Sequence, residues 1–368
     1  MEETVEDQKT LDAKTAELAD IIRTSRKAVV HTGAGLSTSC GIPDFRGPKG
    51  VWTMRDKGEK VPRKPPYPVY PSKAHMAIKK LLDENVIDYV CSQNTDGLHV
   101  MSGIPFETIS ELHGNKNREI CSNARCKKAY YRYFPCRRPG NKVHDHSTGR
   151  KCDKCNSELH DSIVNFGENL PKDDLESAEK YSKEADLCIV LGTSLKVTPA
   201  AELPLEGYPK CKLAIVNLQE TPVDSKSHLR IYGKCDDVMI SLMSHLGYEI
   251  PPFIARARLS FKMSCAKIIT SKSNFPNLIQ SIKLSRPSGS NITERRHFTW
   301  KYQGPTPAKL KATVNCNDRK RMEPLELSIH LSEGKTAEFI IEYNTHDPES
   351  RGWSVALDID QLALEDKK

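Results

Sequence analysis

Short strand-like runs that break off into glycine or polar residues constrain this chain more than any other feature. Ala28-Val29-Val30 leads into His31-Thr32-Gly33-Ala34-Gly35, and Ile87–Ser92 into Gln93-Asn94-Thr95-Asp96-Gly97. Thr108–Leu112 ends at His113-Gly114, Leu187–Leu191 at Gly192-Thr193-Ser194, and Leu213–Val216 at Asn217-Leu218-Gln219. A continuous apolar run such as Leu187–Leu191 suits a strand covered on both faces. Polar residues at the carboxyl ends of successive strands are where open α/β sheets bind ligands. The repeated unit predicts an α/β fold with one doubly wound parallel sheet and a shared crevice. Leu11, Leu18, Ile21 and Ile22 are spaced for one face of a helix over residues 10–27. Ser72 is a natural N-cap for a helix through Leu82, and Asp236–Leu246 reads as a closing helix. The prolines of Lys57–Pro71 exclude a helix there.

The first tip carries the densest chemistry. Gly33-Ala34-Gly35 is a turn whose missing side chains let backbone N–H groups approach a phosphate, and Thr32, Ser37 and Thr38 add hydroxyls at the start of a helix. Strand, glycine turn and helix start together point to a dinucleotide. The dehydrogenase fingerprint is absent, because Thr38 occupies its third glycine position. Ile42-Pro43-Asp44-Phe45-Arg46-Gly47 then gathers a carboxylate, an aromatic ring and a guanidinium in one tight loop, with Trp52 close behind.

Cysteines make the second signal. Cys121-x4-Cys126 and Cys152-x2-Cys155 form two close pairs, the donor set of a closed, structural tetrahedral zinc. Cys136, His144 and His146 lie near enough in sequence to replace one ligand. His113, at a strand tip beside the Asn94/Asp96 tip, is the candidate general base, since imidazole titrates near working pH.

The GAG-x-S turn followed by IPDFRG resembles the sirtuins, the NAD-dependent protein lysine deacylases. Gln93–Asp96, Leu112-His113-Gly114, Phe166-Gly167-Glu168, Gly192-Thr193-Ser194 and Asn217-Leu218-Gln219 extend the resemblance over roughly residues 10–250. GPKGVWT, HSTGRKC and GKCDDVM are most similar to the family's nuclear class, although the first cysteine pair has two more residues than the family's usual spacing. The resemblance implies a Rossmann-like large domain over 1–250, with a zinc-binding small domain inserted at about 115–160. It also implies NAD and Zn2+ as cofactors. Cofactor contacts would come from Gly33, Ala34, Gly35, Ser37, Thr38, Asp44, Phe45, Arg46, Trp52, Gln93, Gly192, Thr193, Ser194, Asn217, Gln219 and Cys235. His113, Asn94 and Asp96 would be catalytic: His113 takes a proton from a ribose hydroxyl after nicotinamide has left, Asn94 positions the ribose or a water, and Asp96 meets the nicotinamide amide. Val164, Phe166, Gly167 and Glu168 match the segment that pairs with an acylated lysine peptide, where main-chain hydrogen bonds tolerate varied sequences. The implied products are free lysine and 2′-O-acyl-ADP-ribose. Protein mono-ADP-ribosylation and a weakly active NAD-binding chromatin scaffold are the rival readings.

Composition sets the remaining bounds. The 368 residues carry a net charge of +7 and twelve cysteines, a pattern that suits a reducing compartment. No apolar run reaches eighteen residues and the acidic start MEETVEDQKT is unlike a signal peptide, so a soluble intracellular protein with no membrane partner is expected. By resemblance its home is the nucleus, with the nucleolus as a further address and histones or other nuclear proteins as substrates. Lys127-Lys128 and Arg137-Arg138 flank the cysteine loop and would serve nucleosome or nucleic-acid contact; Arg295-Arg296 and Arg319–Arg321 add further basic clusters. After Pro251-Pro252 the pattern changes to short alternating segments, with Leu325–Leu331 and Phe339–Tyr343 the clearest strands, Ser332–Lys335 a turn, and Ala312–Cys316 and Trp353–Ile359 further strands. Residues 251–368 are therefore expected to form a separate β-rich domain of unassigned role.

Overall fold

The apolar runs become the strands of a parallel sheet, and a second, smaller sheet is inserted between them. The computed structural model describes residues 2–61, 69–132, 134–265, 277–285, 297–303, 308–314, 325–331, 336–344 and 354–356. Two compact units make up the chain, Met1–Phe253 and Ile254–Lys368. In chain order the first unit holds β1 (Ala28–Thr32), β2 (Tyr89–Ser92), β3 (Ile109–Glu111), β4 (Arg118–Cys121), β5 (Ala129–Tyr131), β6 (Ser147–Lys151), β7 (Glu158–Asp161), β8 (Leu187–Leu191), β9 (Lys212–Val216) and β10 (Leu229–Ile231). Six of these pair in parallel in the order β10-β9-β8-β1-β2-β3. The other four form the antiparallel sheet β5-β4-β7-β6.

Helices α1 (Gln8–Thr24), α2 (Val51–Asp56), α3 (Lys73–Asp83), α4 (Leu98–Met101), α5 (Lys172–Glu184) and α6 (Cys235–Leu246) complete the unit. Alternate side chains of the central strands enter different cores. Val30, Val90, Ile189 and Val216 pack with Leu18 and Ile22 of α1, Ile78 and Leu81 of α3, and Val238 and Leu242 of α6. Val29, Tyr89, Val190 and Ile215 pack on the other face with Ala178 of α5. Every residue of β1 and β8 is buried, as a strand covered on both sides requires.

Local chemistry sets the helix limits. Asp7 caps α1 by accepting from the Thr10 N–H at 3.0 Å. That helix stops at Thr24 rather than at 27, because the Asp186 carboxylate gathers the Ser25 hydroxyl and the N–H groups of Arg26 and Lys27. Ser72 caps α3 as expected, and His75 takes the place of the usual acidic partner, its Nδ1 accepting from the Ser72 N–H at 3.2 Å. The predicted helix start after Gly33 is a 3-10 run, Ala34–Cys40, closed by Gly41 at φ 84°. Its Gly35 N–H donates sideways to the Gly192 carbonyl, 2.8 Å away, so that group points off the helical path.

The second unit is antiparallel. β11 (Ile254–Cys265), β12 (Asn277–Ser285), β13 (His297–Gln303), β14 (Ala308–Val314), β15 (Leu325–Leu331), β16 (Thr336–Asn344) and β17 (Ser354–Ala356) form the sheet β13-β12-β11-β16-β17 and the pair β14-β15. Strands therefore occupy the two alternating stretches 325–331 and 336–344. The strand expected at Ala312–Cys316 begins earlier, at Ala308, and of Trp353–Ile359 the described part is Ser354–Ala356. The Ser332–Lys335 turn, residues 62–68 of the proline segment, Arg295-Arg296 and Arg319–Arg321 lie outside the described residues. Among the described residues, no helix is long and apolar enough to cross a membrane.

Candidate active site

β1 and β8 are neighbours from which the chain proceeds in opposite directions across the sheet, to β2 on one side and β9 on the other. Their carboxyl ends flank the crevice where open α/β sheets take ligands. The two tips touch. The Gly33 N–H donates to Leu191 O at 3.0 Å and the Gly35 N–H to Gly192 O at 2.8 Å. A Cβ on Gly33 would lie 2.5 Å from Thr193 Cβ, and one on Gly35 2.8 Å from Gly192 Cα. These glycines thus serve the approach of one strand tip to another, and their N–H groups are engaged within the protein rather than turned to a phosphate. Gly192 itself sits at φ 63°, and its Cβ would fall 2.4 Å from Leu36 N. Gly192→Ala is therefore expected to destabilise the fold by about 2–4 kcal/mol, from backbone strain and the clash together. A chemical-denaturation midpoint unchanged from wild type would refute that role.

A cavity of about 540 Å³ opens at the tips. Gly33, Ala34 and Gly35 line it from β1, Gln93 from β2, His113 from β3, Gly192, Thr193 and Ser194 from β8, and Asn217 and Gln219 from β9. Gln93 Nε2 reaches Thr193 Oγ1 at 3.3 Å, tying two tips together. The proline-started loop closes one side. Asp44 Oδ1 accepts from the Gly47 N–H at 3.0 Å, and the Asp44 and Phe45 carbonyls accept from the N–H groups of Val51 and Trp52 as α2 begins. Burial raises the Asp44 pKa, against the opposing pull of the Gly47 N–H. Trp52 lies between Phe45 and Phe166, with centroids 5.3 and 5.2 Å away, and the Arg46 guanidinium sits 4.6 Å from its ring. Val164, Phe166, Gly167 and Glu168 also line the cavity.

His113 projects from the third tip. Its Nδ1 lies 3.1 Å from the Gln93 carbonyl, which can only accept, so the proton is assigned to Nδ1 and the lone pair to Nε2. Burial lowers its pKa from the usual 6.5, and the Gln93 carbonyl partly offsets this.

Five expected site residues are not among those lining the cavity: Ser37, Thr38, Asn94, Asp96 and Cys235. Thr38 Oγ1 donates to Gly35 O within its own turn, and Cys235 is buried at the start of α6. The other three share a buried polar network. Ser37 Oγ donates to Asp96 Oδ2 at 2.7 Å, Asn94 Nδ2 lies 3.4 Å from Ser37 Oγ, and Asp96 Oδ1 accepts from the Leu98 N–H. His75 and His99 lie beside it, their rings tilted by 56° with centroids 5.0 Å apart, and His99 Nε2 meets Thr32 Oγ1 at 2.9 Å. Burial, with His75 second, takes the His99 pKa down to about 3. Asn94 Oδ1 is buried with no partner, which leaves an acceptor for a polar ligand group or water. Sequence patterns did not single out Thr95, Arg55, Val143, Leu170, Val197 or Thr198 as wall residues. Most belong to loops whose convergence is purely tertiary.

In the antiparallel sheet the sulfurs of Cys121, Cys126, Cys152 and Cys155 lie within 4.8 Å of one another. Cys121 and Cys155 Sγ atoms are 3.3 Å apart, and those of Cys126 and Cys152 3.7 Å. Lys127 at φ 45° and Asn156 at φ 60° follow the two pairs and turn the chain sharply beneath the sulfurs. Four converging thiols fit a structural zinc with no open position. The alternative ligands lie elsewhere: the Cys136 carbonyl accepts from Arg150, while His144 and His146 engage Glu168.

The family model for the Sir2 family matches residues 59–199. The Arabidopsis thaliana protein named NAD-dependent protein deacetylase SRT1 is 45% identical over 253 residues, 66% of this chain and 51% of that one. The Drosophila melanogaster NAD-dependent protein deacetylase Sirt6 is 42% identical over 254 residues, 65% of this chain and 77% of that one. A solved structure of Sir2 with a deacetylated p53 peptide and 3′-O-acetyl ADP ribose is 36% identical, covers 64% of this chain and all of its own, and has a TM-score of 0.50. The chain thus spans only about half the length of the first of these relatives. An identity above 40% across three-quarters of a relative, together with the match to the family model and the likeness to a solved Sir2 structure, leaves one assignment: this chain belongs to the Sir2 family.

Proposed function

We propose that the chain is an NAD-dependent protein lysine deacetylase that acts on acylated lysines of nuclear proteins, histones included, and yields nicotinamide, free lysine and 2′-O-acyl-ADP-ribose. The observation that carries this reading is His113, a neutral imidazole whose Nδ1 is held by the Gln93 carbonyl and whose ring lines the cavity between the strand tips and segment 163–168. The activity printed for the relatives, and the peptide and acetyl ADP ribose in the Sir2 structure, support it.

The residues fit NAD. The cavity is large enough for much of a dinucleotide, Arg46 and Arg55 place cations on its wall, and Asn217 and Gln219 supply amides for an adenosine. Asn94 Oδ1, buried and unpartnered, remains an acceptor for the ribose or a water. Bound NAD supplies an activated ribosyl carbon from which nicotinamide departs. His113 Nε2 then accepts a proton from a ribose hydroxyl, and burial keeps the ring unprotonated near pH 7 so that it can do so. Val164 is fixed by its N–H to the His113 carbonyl at 3.0 Å, which sets segment 163–168 beside the base. The four thiols would hold a zinc in a closed shell, with no position left for the reaction. Lys127-Lys128 and Arg137-Arg138 offer a basic surface to nucleosomal DNA, and the nucleus, with its nucleolus, is the compartment the reading implies.

The test is nicotinamide release and lysine deacylation on acetylated histone peptides, with and without nucleosomes. Coupled release of both products is expected. Release with the ADP-ribose retained on protein would instead mark mono-ADP-ribosyl transfer. NAD binding without turnover on any substrate would mark a scaffold, and either result overturns the deacetylase reading.

A further inference from the structure

Both ring nitrogens of His146 meet carboxylates. Nδ1 lies 3.2 Å from Asp161 Oδ1 and Nε2 lies 3.0 Å from Glu168 Oε1. A neutral imidazole donates from one nitrogen only, so two acceptor-only partners call for the imidazolium. Each carboxylate in turn holds the backbone of the cavity wall. Asp161 Oδ1 accepts from the Ile163 N–H at 3.0 Å, and Glu168 Oε2 accepts from the Asn165 N–H at 2.6 Å. Asn165 Nδ2 reaches Glu168 Oε2 and the Val143 carbonyl, joining the wall to the loop that carries His146. The Glu168 carboxylate is therefore engaged within the protein, while the residue still lines the cavity.

We propose that His146 is a positioning residue that, as an imidazolium bridging Asp161 and Glu168, holds segment 163–168, which turns at Asn165–Glu168, in place for the acyl-lysine peptide, so that losing its proton loosens peptide binding and spares cofactor binding. The inference rests on the deacetylase reading above. The groups facing His146 are Asp161 from β7, Glu168 from the segment, and His144 of its own loop, whose Nδ1 shares Glu168 Oε1 at 2.6 Å. Despite burial, which acts downward, Glu168 and Asp161 raise the His146 pKa above 6.5. Despite burial, which acts upward, the Asn165 N–H and the two histidines hold the Glu168 pKa at about 2, so its own titration lies far below the working range. A raised folded-state pKa means the clamp is complete at low pH and is lost as pH rises through the His146 pKa.

The test is the affinity of the full chain for an acetyl-lysine peptide, and separately for NAD, between pH 6 and 9, in wild type, His146→Gln and Glu168→Gln. Wild-type peptide affinity is expected to fall about ten-fold across the range, with NAD affinity nearly level. His146→Gln should be weak at pH 6 and flat with pH. His144→Gln should keep most of the pH dependence, because that exposed ring meets a single carboxylate. A wild-type pH profile in His146→Gln, or equal losses of peptide and NAD affinity, would overturn the proposal. If wild type binds no acylated peptide at any pH, the deacetylase reading fails instead. The clamp is then decided by NMR titration of His146, which should titrate above 6.5 in wild type and lower in Glu168→Gln. Titration at or below 6.5 in wild type would overturn it.

Discussion

His113→Ala is expected to lower single-turnover deacylation by about 10²–10⁴-fold, about 3–5 kcal/mol of barrier, while NAD affinity changes by no more than a few-fold. The split follows from geometry. The ring sits on the β3 tip, whereas the other tips that line the cavity contribute Gly33–Gly35, Gly192–Ser194, Asn217 and Gln219. The imidazole must be unprotonated to act, and burial lowers its pKa from 6.5. Wild-type turnover should therefore fall on the acid side, through a pKa below 6.5, and that limb should vanish in the variant. Near-normal turnover would remove His113 from the chemistry. Loss of NAD binding together with turnover would make its role structural.

Removing the metal should have the second large effect. Cys152→Ser is expected to release zinc and to destabilise the first unit by several kcal/mol, as loss of a structural site does. The damage should reach the cavity, because β6 follows directly on the loop of Val143 and His146, and β7 leads into segment 163–168. Acyl-peptide binding should weaken before NAD binding as chelator is added. Metal analysis that finds a zinc-free chain fully folded and active would sink this expectation.

Much of the large sheet was legible because parallel strands buried on both faces leave an unambiguous mark, as in Leu187–Leu191. The tips were legible for the same reason, since polar residues directly after such strands have only the crevice to enter. The role of the glycines was not. Gly33 and Gly35 look the same in sequence whether they face a phosphate or the tip of another strand, and only the pairing of β1 with β8 decides. Asn94 and Asp96 stand on the expected tip, yet they turn into a network with Ser37 whose surroundings, His75 and His99, come from two helices with no local signal. Cys-x4-Cys announced a metal module, but which of seven nearby donors converge depends on the sharp turns at Lys127 and Asn156. Glu168 illustrates the same limit: nothing near FGE announces that its carboxylate meets His144 and His146, more than twenty residues upstream.

The contact between the β1 and β8 tips also dictates an order of assembly. β1 is among the first strands to leave the ribosome, but its partner β8 follows only after β2, β3, the whole cysteine module and α5. At common rates of synthesis that interval is on the order of ten seconds. During it, β1 presents one unpaired edge and apolar side chains on both faces, with α6 not yet made to cover the sheet beside α1. The crevice thus cannot exist on a partial chain. Cofactor can stabilise only the finished first unit, and a nascent chain stalled before Leu187 would be a client for holdase chaperones rather than a weaker binder of cofactor.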